Sequence, residues 1–273
     1  MDDVRVRAGV YCRNITISTN ATASIKRVPA RKVTPQTLAK RPECTLMSGM
    51  TKSPSTLVKG TTDVEAIVNL ANPEKYLAQS TAARREGWVF DAAMGRKTLE
   101  ITADRALHYL VNNLVDYTSP FTLVSVFKGS TSGKLQNLIG GADLIGARVQ
   151  TNHCLRGRVT GTATQSVGVA VQDKWHVAIM ACDGSANLFI QLVAGDEQKT
   201  SMTVEPVNTY LRFGHNQAFL GFAGKMDMAA VLNVCIYGTT AAARGLQDMT
   251  FDMLHQLYGG ASPGLASGSC RCD

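Results

Sequence analysis

No run of eighteen apolar residues occurs in the 273-residue chain, so no segment reads as a membrane-spanning helix. The opening stretch, MDDVRVRAGVYCRN, has no apolar core of the kind that directs secretion, and synthesis in a cytoplasm is the expectation. A Gly-x-Ser-x-Gly nucleophile elbow and a phosphate-binding loop are both missing. The five histidines, His108, His153, His176, His215 and His255, show no metal-ligand spacing. Aromatic residues make up only 6% of the chain, and Tyr11 alone falls in the first 60 residues. A basic segment so poor in aromatics has no platform for stacking bases, so nucleic acid is not the expected partner, although phosphate contacts remain open.

What is present is a β pattern. The chain is 45% hydrophobic, enough for a substantial core. Its firmest stretch is QDKWHVAIMACDGSANLFIQL, from Gln172 to Leu192. Trp175, Val177, Ile179 and Ala181 alternate with His176, Ala178, Met180 and Cys182, the period of two that a strand imposes. Both sets are apolar, so the sheet should be covered on both faces. Asp183-Gly184 then favours a tight turn, because glycine accepts positive φ, before Leu188, Ile190 and Leu192 resume the alternation. After Pro120, Phe121, Leu123, Ser125 and Phe127 alternate with Thr122, Val124, Val126 and Lys128, again the period of a strand.

Further strands are expected at Thr98–Thr102, Leu135–Ile139, Ala147–Thr151, Ser166–Val171, Tyr210–Gly214 and Gly224–Tyr237, about one per dozen residues, the spacing of a β-sandwich. In the last of these Met226, Met228, Ala230, Leu232, Val234 and Ile236 read as one continuous face. Two helices are expected. A short one follows a cap at Thr62 or Asp63, with Val64, Ala66, Ile67, Val68 and Leu70. A long one follows Thr239 or Thr240, with Leu246, Met249, Met253, Leu257, Phe251, Leu254 and Tyr258 on a broad apolar face, stopped by Gly259-Gly260.

Charge is unevenly distributed. Residues 1–60 hold 11 Lys/Arg against 3 Asp/Glu, whereas the remainder holds 17 against 18, so the whole net charge of +7 comes from the first segment. Pro29, Pro35, Pro42 and Pro54 block long helices there. The expected organisation is a basic extended arm over 1–60, a globular domain over 61–260 and a flexible tail over 261–273. Arg27, Arg31, Lys32, Lys40 and Arg41 are the residues expected to anchor the arm to an acidic surface. Seven cysteines cannot all pair within one chain. Cys182 and Cys235, set in apolar strands, read as buried free thiols. Cys270 and Cys272, in the Gly/Ser-rich terminus ASGSCRCD, are candidates for interchain disulfides, with Cys12 or Cys44 as partners.

The order of motifs resembles the concanavalin A-like lectin/glucanase superfamily, in particular its laminin-G-like jelly rolls. The likeness runs from about residue 63 to 259. It is carried by Asn72 to Trp88 ahead of Gly95-Arg96-Lys97-Thr98-Leu99-Glu100-Ile101, the Pro120–Phe127 strand, Trp175-His176-Val177 before Asp183-Gly184-Ser185, Leu211-Arg212-Phe213-Gly214, and Phe222-Ala223-Gly224-Lys225-Met226-Asp227 before a helix ending in Leu257-Tyr258-Gly259. The resemblance implies an antiparallel β-sandwich, a jelly roll, with an N-terminal arm and a C-terminal helix. Glycoside hydrolases of this group need two carboxylates facing the scissile bond. Asp173, Asp183, Asp196 and Asp227 are scattered instead and fit turns or sheet edges, so no catalytic residues are expected.

Asp143, Asp183, Asp196 and Glu197 are the acids that could contribute to a calcium site; otherwise no metal or cofactor is expected. The function these features imply is a non-enzymatic structural protein of a bacteriophage virion, a decoration, collar or tail-associated module. Its partners would be capsid, neck or tail proteins and further copies of itself. The alternative is a carbohydrate-binding module recognising host glycans, with Trp88, Trp175 and a few tyrosines as the available sugar platforms.

Overall fold

The computed structural model describes residues 33–49, 63–102, 107–109, 115–129, 136–141, 145–149, 154–159, 162–169, 173–184, 187–193, 198–201, 211–214 and 222–258. In chain order the elements are α1 (Pro35–Ala39), β1 (Cys44–Gly49), β2 (Asp63–Val64), β3 (Ala66–Ile67), β4 (Leu77–Ala78), β5 (Glu86–Asp91), β6 (Arg96–Ile101), β7 (Leu107–Tyr109), β8 (Phe121–Gly129), β9 (Gln136–Gly140), β10 (Ile145–Val149), β11 (Cys154–Val159), β12 (Thr162–Val169), β13 (Trp175–Cys182), β14 (Asn187–Leu192), β15 (Gln198–Ser201), β16 (Arg212–Phe213), β17 (Gly224–Leu232) and α2 (Ala241–Tyr258).

Two antiparallel sheets form the expected sandwich. One has nine strands in the order β15-β14-β13-β8-β17-β6-β5-β2, with β1 also paired to β17; the other has eight, β12-β11-β10-β9-β16-β7-β4-β3. The alternation of β13 splits its side chains between two cores. Ala178, Met180 and Cys182 enter the core between the sheets. Trp175, Val177 and Ile179 enter a second core on the opposite face, beneath α2. The same holds for β8, with Phe121, Leu123 and Phe127 inside and Val124 and Val126 outside. The nine-stranded sheet is therefore covered twice, as its doubly apolar strands require. Gly184 turns the β13–β14 hairpin at φ 98°, and a Cβ there would lie 3.2 Å from Pro120 Cδ.

Helix α2 begins where Thr240 Oγ1 accepts from Ala243 N at 3.1 Å, the cap expected of that threonine. Ala243, Leu246, Thr250, Met253, Leu254 and Tyr258 are its buried residues.

Three expectations are corrected. The short helix after Thr62 is instead two strands, because the chain crosses from one sheet to the other at Glu65: Val64 belongs to β2 in the first, Ala66 and Ile67 to β3 in the second. The three-residue spacing of apolar side chains there comes from a corner and not from a helical turn. Second, the globular body starts before residue 61. Thr34 caps α1 through Thr37 N, and Pro35 sits at the first helical position, where its missing N–H costs nothing. β1 then lies against β17, pairing Leu46 with Val231 and Met47 with Ala230. Its other edge is pinned by Asn69, whose amide accepts from Met47 N at 3.0 Å and donates to Thr45 O at 2.9 Å.

The third correction concerns β17. Met226 and Met228 were expected on one face, but a bulge at Asp227 reverses the parity, so Met226 enters the core between the sheets and Met228 the core beneath α2.

Because β1 is a structural strand, Leu46→Ala, at a residue with 0% exposure in the inter-sheet core, should cost about 2–5 kcal/mol. Urea denaturation followed by tryptophan fluorescence measures it; an unchanged midpoint would mean that β1 is not part of the cooperative unit.

Candidate binding face

Two polar arrangements stand out, one built around carboxylates and one around arginines. The carboxylates lie on the α2 side of the nine-stranded sheet. Asp91, at the end of β5, is 2% exposed. Its Oδ1 accepts from Trp175 Nε1 at 3.2 Å, and its Oδ2 faces Lys225 Nζ at 3.1 Å and Lys128 Nζ at 3.4 Å. Burial alone would raise the pKa of this group, but the Trp175 hydrogen bond and the two lysines outweigh it and hold Asp91 below the ordinary carboxylate range.

Asp227 is fully buried at the β17 bulge. It receives the fork of Arg96, Nε to Oδ1 at 3.2 Å and Nη2 to Oδ2 at 2.7 Å, together with the Tyr258 hydroxyl at 2.6 Å. Burial and the neighbouring Asp227 charge push the Tyr258 phenol well above its usual value, so Tyr258 stays a proton donor. Asp227, expected at a turn or sheet edge, is thus an interior anchor. What both carboxylates do chemically is fasten: each is neutralised by fixed cations and joins separate elements.

The arginines lie on the eight-stranded sheet. Arg148 falls between Ala147 and Val149, Arg158 precedes Val159, Arg156 follows Leu155, and Arg212 lies between Leu211 and Phe213; all these neighbours belong to the core between the sheets. Strand alternation therefore turns the four arginines to the opposite face. Register arranges them in two rows. In one, Gln165, Arg156, Arg148 and Asn137 are paired across β12, β11, β10 and β9. In the next, Arg158 pairs with Gly146, Gly146 with Gly140, and Gly140 with Arg212, which in turn pairs with His108. A bulge at Leu138 makes this possible, since it places Asn137 and Gly140 on the same side although their numbers differ by three.

The two glycines are required by close packing: a Cβ on Gly140 would sit 2.3 Å from Ile145 O, and one on Gly146, at φ 149°, would sit 2.6 Å from Ile139 O. Arg148 and Arg212 are buried, at 3% and 7% exposure, while Arg156 and Arg158 are half-buried.

The two sheets differ sharply in charge. The strands of the eight-stranded sheet contain four arginines, no lysine and no acidic residue. Those of the nine-stranded sheet contain five lysines and arginines (Arg96, Lys97, Lys128, Lys199, Lys225) balanced by five carboxylates (Asp63, Glu86, Asp91, Glu100, Asp227). The nine-stranded sheet is electrically balanced and doubly covered by packed cores; the four arginines of the other lie on its face turned from the core, each with contacts inside the chain.

Sequence-predicted residues fare unevenly. Cys44 is buried, and desolvation together with the Glu43 charge pushes its thiol up to about 12, so it is a core residue and not an accessible partner for a disulfide. Cys182 and Cys235 are buried and free, as expected. Lys40 and Arg41 are exposed, but at the end of α1 within the body, Arg41 facing Glu43 at 3.7 Å. Asp183 accepts from Asn187 N at 2.8 Å and closes the hairpin. Arg27, Arg31, Lys32, Cys12, Cys270, Cys272, Asp143, Asp196 and Glu197 lie outside the described residues, and among those described no three metal-binding side chains converge. His176 packs 5.8 Å from the Phe127 ring and Trp175 is buried, while Phe90, on the β5 edge, is 62% exposed. The arginine rows were missed because they exist only once the register is known; the absence of acids from these strands was the available signal.

No family model and no curated protein matches the chain. Solved structures do. Trypanosoma rangeli sialidase is similar at a TM-score of 0.55 and 10% identity, over 79% of this chain and 33% of the sialidase. The binding domain of Paraclostridial Mosquitocidal Protein 1 is similar at 0.54 and 11% identity, over 78% of this chain and 53% of that one. Domain 4 of AbnA, a GH43 arabinanase of Geobacillus stearothermophilus solved with arabinotriose, is similar at 0.47 and 11%, over 76% and 98%. The chain spans about one third of the sialidase, and at this identity the likeness concerns the fold alone: an antiparallel β-sandwich.

The lowered Asp91 value makes a directional prediction. Its stabilisation should be complete above about pH 4, where the unfolded chain's aspartates ionise, and should be lost as pH falls through the lower folded value. The stability difference between the native protein and Asp91→Asn should accordingly shrink between pH 5 and pH 2 in urea titrations; a constant difference would count against the ion pairs.

Proposed function

We propose that the chain is a non-catalytic recognition module, a lectin-like sandwich that binds a glycan on the outer face of its eight-stranded sheet. The observation that carries this reading is the asymmetry between the sheets. The nine-stranded sheet has both faces under packed cores and its strand charges balanced, whereas the eight-stranded sheet offers arginines and amides in register on the face away from the core. Fixed polar groups on strands are the usual means of orienting a polar ligand. Carbohydrate recognition also agrees with the similar structures, which include a sialidase solved with sialic acid, although fold alone is analogy. The test is an oligosaccharide array probed with the purified chain. Binding to a restricted set of glycans without turnover supports the reading, and silence across the array or release of free sugar overturns it.

A second reading, a structural component of a bacteriophage virion, draws on the charge of the N-terminal segment. Counted over residues 1–32 alone, the segment holds seven Lys/Arg against two Asp/Glu. Such a segment suits an acidic neighbouring surface, to which Arg27, Arg31 and Lys32 would bind, and Cys12, Cys270 and Cys272 would then link neighbouring copies. The two readings are compatible, since a particle can display a glycan-binding module. Deleting residues 1–32 should lower incorporation into purified particles at least tenfold, and non-reducing gels of those particles should show bands above the monomer. Full incorporation of the deleted chain, or absence of the full-length chain from purified particles, refutes the second reading and leaves the first standing.

A further inference from the structure

We draw no further inference here: the strongest candidate, the surface patch at the tip of the β5–β6 hairpin, where exposed Phe90 lies opposite Lys97 in register and half-buried Trp88 shares its face, carries nothing because no observation in the structure shows what covers it.

Discussion

A buried carboxylate at a strand irregularity holds the architecture together. β17 is bordered along one edge by two different strands: Gly224 to Met226 pair with β6, and Met228 to Leu232 pair with β1. The bulge at Asp227 marks the exchange. A bulge leaves one residue without a ladder partner and aims its side chain independently of strand parity. Here that side chain is an aspartate in an apolar interior, a placement that costs several kcal/mol unless the charge is paired and its lone pairs are filled. Arg96 and Tyr258 meet both requirements. Because Arg96 opens β6 and Tyr258 ends α2, one carboxylate fixes the register of the sheet and the seat of the helix together. Arg96 also lies 5.3 Å from the Tyr258 ring centroid, so the three side chains form one closed unit.

That arrangement also decides how the two sheets are covered. α2 seals the outer face of the nine-stranded sheet with Leu246, Met253 and Leu254, and Asp91 ties Trp175 and two lysines into the same surface. Asp91 and Asp227 are thereby committed to structure. The eight-stranded sheet has no helical cover among the described elements, and its outward positions are free of the requirement to be apolar. The sequence differs accordingly: Ile145-Gly-Ala-Arg-Val149 has small or charged residues at alternate places although all five are buried, whereas Val124 to Phe127 carry no charge.

The sheet scaffold was legible wherever the alternation ran unbroken. β13, β8 and α2 follow from their residue patterns because packing reinforces the local period. Reading failed where the chain departed from its period for a tertiary reason. Val64 and Ile67 looked helical because a crossing between sheets mimics a spacing of three. β1 was hidden among prolines and basic residues, since its partner β17 lies about 180 residues away and no local pattern announces the pairing. Asp227 resembled a surface acid because the arginine and tyrosine that neutralise it come from positions 96 and 258. The arginine face was invisible for the same reason: Arg148, Arg156, Arg158 and Arg212 are neighbours only through the register of β11, β10, β9 and β16, and the Leu138 bulge shifts that register midway.

The bulges at Leu138 and Asp227 therefore serve opposite ends of one design. At Asp227 the irregularity turns a charge inward, where fixed partners consume it and the result is rigidity. At Leu138 it turns Asn137 and Gly140 outward together, so that an amide and a glycine fall beside arginines in adjacent rows. In a regular strand these two residues would face opposite sides, and Arg212 would lie beside a side chain instead of a glycine. The sheet that Asp227 locks is the one packed behind these rows, through the core shared by both sheets.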